Sequence, residues 1–355
     1  MLDFCDGLDL ALPLIQAPMA GISTPALAAE VCRAGALGSL AIGHLDPAGA
    51  AGVLADLASR TDRPFNVNLF AHTPADIDLA REAAWLEALR PRFAAFGAAP
   101  PAALSTIYNS VTGNAAMLGV VLAAAPRVVS FHFGLPEAPA IAALKAAGSR
   151  LLASVTSRAE AEAARRAGVD MVIAQGWEAG GHRGMFDPEA EDSQLSTAQL
   201  LADLVAWDEL PVIAAGGIMD GRSIAEALEA GATAVQMGTA FLACPESASD
   251  PAYRARLASD AAYDTVMTTL ISGRPARCLA NDFTALAEIP GLPEVPAYPR
   301  AYDAGKALNA AAKAAGETGY GAQWAGTGAP RLRPMGAADL VRTLGAELVA
   351  IQRQA

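Results

Sequence analysis

The chain has 355 residues, a formal net charge of -12, and 53% hydrophobic against 17% charged residues. A chain this long and this apolar can bury a large core, and its composition argues against long disordered arms. The acidic balance, with no basic cluster, excludes a nucleic-acid partner, and no apolar run approaches the roughly 20 residues that a membrane-spanning helix needs.

The acidic start MLDFCDGLDLALPL lacks the basic beginning and cleavage site of an export signal, so a cytoplasmic protein is expected. Leu14-Ile15-Gln16 reads as a short strand running into Ala17-Pro18-Met19-Ala20-Gly21. Thr24-Pro25 then supplies an N-cap and a first helical position. Further strand-like runs begin near Leu37, Phe65, Val128, Leu151, Met171, Val212 and Ala234. Most precede an alanine-rich helix ending in Ala-Gly, at Ala34-Gly35, Ala147-Gly148, Ala167-Gly168 and Ala230-Gly231, which is C-cap punctuation.

Eight strand-then-helix units describe an α/β protein of the (β/α)8 TIM-barrel type, with its site on the βα loops. A doubly wound sheet would want G-x-G-x-x-G after the first strand, where this chain has APMAG, and no P-loop lysine occurs. Long intervals place insertions after strands three and six. Residues 1–243 are read as the barrel, 244–330 as a small, mainly helical cap with helices near 251–262 and 301–315, and 331–355 as a C-terminal helix, Ala337–Gln352, packing on the barrel. Cys5, Cys32, Cys244 and Cys278 are far apart with no C-x-x-C pair, so idle thiols are expected rather than a zinc or redox motif.

The segment MVIAQGWEAGGHRGMF, residues 171–186, runs from a buried strand into a glycine-rich loop holding His182. Imidazole titrates nearest neutrality, which makes His182 the first candidate for a catalytic base; a surface histidine in a mobile loop would look the same here. Gly216-Gly217 and Gly238-Thr239 end strands seven and eight, where barrels hold phosphate. Beside them Met19, Asn68, Gln175, Gln236 and Met237 make an apolar, amide-bearing rim suited to the edge of an isoalloxazine ring, so FMN is favoured over a sugar phosphate. His44, His72, His132 and His182 all follow strand ends, which raises a metal-hydrolase reading. With no H-x-H or H-E-x-x-H and few carboxylates, no metal site is expected, and His132 is read as packing or lining the pocket. Tyr298, Tyr302 and Lys306 are spaced to share one helical face, where they could close over a flavin or simply pack, and Tyr108 could join them. In so acidic a protein any attraction of an anion must be local, at Lys306 or Arg183.

With these residues assembled, the chain resembles the nitronate monooxygenases, bacterial class I. The resemblance covers nearly the whole length and rests on QAPMAG (16–21), FNVNLF (65–70), SFHFGLP (130–136), QGWEAGGHRG (175–184), AAGGI (214–218), QMGTAF (236–241) and the Tyr298, Tyr302, Lys306 set. QGWEAGGHRG is the specific motif; AAGGI and MGTAF also occur in other FMN barrels. The resemblance implies an FMN-bound TIM barrel that oxidises alkyl nitronates, propionate 3-nitronate foremost, with O2 to a carbonyl compound and nitrite through a flavin semiquinone. It places Ala20, Gly21, Ile22, Asn68, Gln175, Gly180, Gly217, Gln236, Met237, Gly238 and Thr239 against FMN, with His182 as the catalytic histidine. Tyr108, His132, Tyr298, Tyr302 and Lys306 fall on the substrate side, and the assembly is expected to be a monomer or homodimer. The segment Gln323-Trp324-Ala325-Gly326-Thr327-Gly328 departs from the family's W-A-G-Q-G by a threonine at 327. NAD(P)H-dependent enoyl-acyl-carrier-protein or quinone reductases share the E-A-G-G-H core and are the rival reading; a non-catalytic flavin-binding module is the rival from another class.

Overall fold

The computed structural model describes residues 4–354; residues 1–3 of the acidic start, and residue 355, lie outside it. The strands are β1 (Leu14–Gln16), β2 (Gly38–Ala41), β3 (Phe65–Phe70), β4 (Val128–His132), β5 (Arg150–Val155), β6 (Met171–Gln175), the two-residue β7 (Gly181–His182), β8 (Val212–Ala215) and β9 (Ala234–Met237). All but β7 form one parallel sheet in the order β1-β9-β8-β6-β5-β4-β3-β2. A parallel bridge from Ile15 to Leu37 joins its two ends, with Gln16 N to Leu37 O and Leu37 N to Leu14 O both at 2.9 Å. The barrel expected from the sequence is therefore present.

Between the strands run α1 (Pro25–Arg33), α2 (Pro47–Arg60), α3 (Leu79–Ala95), α4 (Ala115–Ala124), α5 (Ala138–Ala146), α6 (Arg158–Ala167), α7 (Thr197–Trp207) and α8 (Gly221–Glu229). Their starts are chemically marked. Thr24 accepts from Leu27 N ahead of Pro25, and Ser196 and Asp220 form capping boxes with Gln199 and Ser223. Their ends are marked too: Gly35, Gly148, Gly168 and Gly231 have φ of +89°, +87°, +90° and +98°, a region in which a side chain is strained.

Successive strand residues face opposite sides, and the burial follows that rule. Along β6, Val172 and Ala174 pack toward the helices, whereas Met171 and Ile173 join Phe4, Leu8, Ile15, Leu152 and Ile213 in the barrel interior. A polar layer made by the first four strands adjoins this plug. Gln16 Oε1 accepts from Ser39 N at 2.9 Å, and Asn66 Nδ2 donates to Ser39 Oγ and Ser130 Oγ, each at 3.1 Å.

After β9 come α9 (Pro251–Leu257), β10 (Thr265–Thr268), β11 (Ala276–Leu279), α10 (Arg300–Ala314) and α11 (Ala337–Gln352), the last packing on α1 and α8. No helix among the described residues is long and apolar enough to cross a membrane. The sequence reading misses a three-stranded antiparallel sheet in which β10 pairs with β11 and β11 with β7. Strands of four and two residues carry too little alternation to be legible. The helix expected over 251–262 stops at Leu257, followed by a 3-10 turn at Asp260–Tyr263. Tyr298 precedes α10, at a cis Tyr298-Pro299 bond, so only Tyr302 and Lys306 share a helical face.

The core beneath these late elements is shared with the insertion after β3. Trp85, Leu86, Leu89 and Phe93 of α3 cluster with Leu270, Phe283 and Leu308. Beside them the carboxylate of Glu82 takes both Nε and Nη2 of Arg300, the pair being 6% and 12% exposed. Glu82→Ala strands that guanidinium and should cost about 2 kcal/mol, between exposed and fully buried pairs. Denaturant titration measures it; an unchanged midpoint would mean that the pair ties nothing together.

Candidate active site

The carboxyl ends of the barrel strands open into a cavity of about 190 Å³. Of the residues singled out from the sequence, Ala20, Ile22, Asn68, Gln175, Gly180, Gly217, Gln236, Met237, Gly238 and Thr239 line it, together with Tyr108, His132, His182, Tyr298 and Tyr302. Gly21 and Lys306 do not. They line an adjoining cavity of about 270 Å³ that shares Ala20, Tyr108, Tyr253, Tyr302 and Trp324 with the first.

His182 sits in β7 opposite Ala276 of β11. Its carbonyl accepts from Gln175 Nε2 at 2.9 Å and from His132 Nε2 at 3.2 Å, and its ring Nε2 lies 2.9 Å from Ser272 Oγ. The ring is walled by Trp324, Tyr298, Phe133 and Tyr302, at centroid distances of 4.9, 5.5, 5.6 and 5.9 Å. Burial, then the neighbouring His132 and Arg274, lower its pKa to about 3, so the imidazole is neutral. His132 and His72 are lowered to about 4, again by burial first and with Arg274 against the proton. Among the described residues no group of His, Cys, Asp or Glu side chains converges as metal ligands would.

One expectation is corrected by the geometry. Arg183 is 1% exposed and holds Asp192 through Nε and Nη2 at 2.8 and 3.0 Å, while Nη1 donates to the Gln175 and Gly176 carbonyls. It therefore buttresses the loop and is not the cation that meets a ligand. Gln175 lines the cavity and also holds the loop: Oε1 accepts from Gly184 N at 2.7 Å while Nε2 donates to the His182 carbonyl. Thr327 is exposed and joins the loop through its backbone, N to Glu178 O at 3.0 Å.

The sequence reading missed Phe133, Arg274, Ser272 and Trp324. Phe133 has φ of +72° and stacks its ring beneath the Arg274 guanidinium at 4.5 Å. The neighbouring Phe-His-Phe-Gly pattern was a usable signal for it. Arg274 is 4% exposed and donates from Nη1 to Met185 O at 2.8 Å. Burial lowers its pKa to about 10, which still leaves it charged at neutral pH. Nothing local in Ser272-Gly273-Arg274 marks that turn as part of a site built around residue 182. Cys32, Cys244 and Cys278 are buried, their thiols raised by burial to about 11, 12 and 12, and Cys278 packs behind the site in the cluster that holds Phe133 and Tyr298.

Comparison with known proteins matches this chain, over residues 5–347, to the family described as nitronate monooxygenase. A nitronate monooxygenase of Paraburkholderia phytofirmans is 57% identical over 95% of this chain and 92% of its own length. One of Pseudomonas aeruginosa is 50% identical over 96% of this chain and 97% of its own. Among solved structures, a nitroalkane oxidase from Streptomyces ansochromogenes superposes with a TM-score of 0.89 at 39% identity, over 99% of both chains. FabK from Thermotoga maritima does so at 0.73 and 28% identity, over 99% of this chain and 96% of that one.

The depressed histidines have a consequence for stability. Unfolded histidine takes up a proton near pH 6.5, whereas native His72 and His132 do so only at about 4 and His182 at about 3. As pH falls from about 6.5 the unfolded chain binds protons that the native state does not, so stability drops toward about pH 4. The Tm should therefore fall between pH 7 and pH 5, above the carboxylate range, and His72→Gln should flatten part of that slope. A level Tm across this window would show that these imidazoles do not resist protonation.

Proposed function

The chain belongs to the nitronate monooxygenase family, and from that premise we propose that it uses FMN and O2 to oxidise small anionic alkyl nitronates, propionate 3-nitronate foremost, to a carbonyl compound and nitrite. The observation that carries this reading is His182: a neutral imidazole in an aromatic wall, at the mouth of strands whose ends offer amides and glycine turns.

The residues present fit FMN. Gln236 Oε1 is buried without a partner, and an isoalloxazine N–H edge would satisfy it. Asn68 lines the same cavity, its Nδ2 held by Ser130 Oγ at 3.0 Å. Gly217, with φ of +70°, and Gly238-Thr239 lie at the ends of β8 and β9, where a phosphate would be held. When bound, FMN would supply an electron acceptor for the nitronate and a reductant for O2.

The chain's own groups bind and orient the substrate. Burial raises the Tyr108 phenol to about 12 and Tyr302 further, so both keep their protons and can donate to nitronate oxygens. Lys306 is exposed, its Nζ 4.8 Å from the Tyr108 ring and 5.4 Å from that of Tyr302. A carboxylate on the substrate would pair with it across the adjoining cavity, which Tyr108 and Tyr302 also line. Neutral nitroalkanes need one step more, in which His182 takes the α-proton and the electron pair remains on the nitronate. We assign FMN to residues 1–243 and the substrate end to 244–330 together with Tyr108.

The test is oxygen uptake with propionate 3-nitronate and separately with NADH. Rapid uptake and nitrite release with the nitronate alone supports the reading; bleaching of the flavin by NADH with no nitronate turnover replaces it with a reductase. A protein that cannot be loaded with FMN would sink the cofactor assignment. His182→Ala should keep FMN, as read from its visible spectrum, while turnover of nitroethane falls at least about 100-fold. Lys306→Ala should raise KM for propionate 3-nitronate about 2- to 5-fold and leave KM for an uncharged nitroalkane unchanged.

A further inference from the structure

Ser272 is fully buried, and its hydroxyl stands between two groups of fixed character. Its Oγ is 3.2 Å from the carbonyl oxygen of Arg274, which can only accept, and 3.4 Å from the Arg274 backbone N–H, which can only donate. The third neighbour is His182 Nε2 at 2.9 Å, which donates or accepts according to where the ring proton sits. A hydroxyl has one proton to give. If that proton goes to Arg274 O, Oγ must receive one from His182, and the ring carries Nε2–H. If instead it goes to His182, the Arg274 carbonyl loses the one donor it has among the described residues. Leaving a polar group unpaired in a residue only 4% exposed is the costlier arrangement.

We propose that Ser272 is a positioning residue that fixes the tautomer of His182, holding its proton on Nε2 and leaving Nδ1 as the atom that takes the substrate's proton. The proposal rests on the reading of His182 as the catalytic group. Among the described residues the ring makes no other side-chain hydrogen bond, so nothing in the protein competes for Nδ1. The backbone of His182 is held independently by Gln175 and His132, so the ring's remaining freedom is its tautomer and its tilt. The serine turn is itself fixed. Gly273 has φ of +87°, and a Cβ there would meet Pro296 O at 2.4 Å and Tyr298 N at 2.7 Å, so the turn is pressed against the segment carrying Tyr298.

In the step this arrangement serves, the α C–H bond of a nitroalkane breaks and its proton goes to Nδ1. The electron pair stays on the nitronate, and the imidazolium keeps Nε2–H in a bond to Ser272 Oγ. That bond strengthens as the ring gains charge, because a charged donor bonds more strongly than a neutral one. Ser272 thus acts twice, first by selecting the basic nitrogen and then by stabilising its conjugate acid.

The chain holds four histidines, so 15N-histidine labelling of the FMN-loaded protein gives a spectrum in which a His182 variant identifies that ring. The wild type should show His182 as the Nε2–H tautomer. Ser272→Ala should mix the tautomers and slow α-deprotonation of nitroethane about tenfold, with a smaller effect on turnover of a preformed nitronate, which needs no base. Ser272→Thr, which keeps the hydroxyl, should restore both. An Nδ1–H tautomer in the wild type overturns the proposal, and so does an alanine variant with the tautomer and both rates unchanged. Should the alanine variant not fold, the wild-type spectrum still decides. A protein with the Nε2–H tautomer but no nitronate turnover would sink the proposed function and leave the tautomer assignment standing.

Discussion

The pairing of β7 with β11 is the contact on which the site depends. A barrel places its chemistry on loops, and loops are the part of a fold least able to hold a side chain still. Here the loop after β6 is drafted into a sheet that belongs to the far end of the chain, with Ala276 opposite His182 and Arg277 opposite Gly181. The same loop is held by the Gln175 amide, by Arg183 with Asp192, and by Arg274 on the Met185 carbonyl. The ordering entropy of a glycine-rich loop is thus offset by bonds outside the imidazole, and the ring is presented on a rigid mount.

Electrostatics at the site run against the protein's overall sign. The chain carries a net charge of -12, yet a buried guanidinium, that of Arg274, lies 4.5 Å over Phe133 and acts on His72, His132 and His182. Burial does most to keep these imidazoles neutral, and the Arg274 charge adds to it. Screening matters less here than at the surface, because the guanidinium belongs to a residue only 4% exposed.

The barrel was legible because its signals are local. Strand runs, Thr24-Pro25 and the Ala-Gly helix ends each lie within a few residues, and the four glycines take the left-handed conformation that this punctuation demands. His182, the strand-end amides and the paired glycine turns were legible for the same reason, each sitting just past a recognisable strand. The partners of His182 were not. Ser272 is 90 residues away, and its part is decided by a strand pairing too short to leave a pattern. Arg183 shows the converse failure: its place beside the histidine suggested a ligand contact, and only the position of Asp192 reveals that it faces into the fold. Tyr298 reached the site as anticipated, though from a turn rather than from the helix its spacing implied.

The cluster shared by α3 and α10 bears on how such a protein can change over time. Because Trp85 and Phe93 pack with Phe283 and Leu308, the covering layer is stitched from two stretches of chain that a gene encodes far apart. It cannot be exchanged as a C-terminal cassette. A chimaera that imported residues after β9 from a relative would set foreign side chains against a native α3, and would face Glu82 with whatever residue stood in place of Arg300. Recombination that respects this architecture must therefore carry both stretches together.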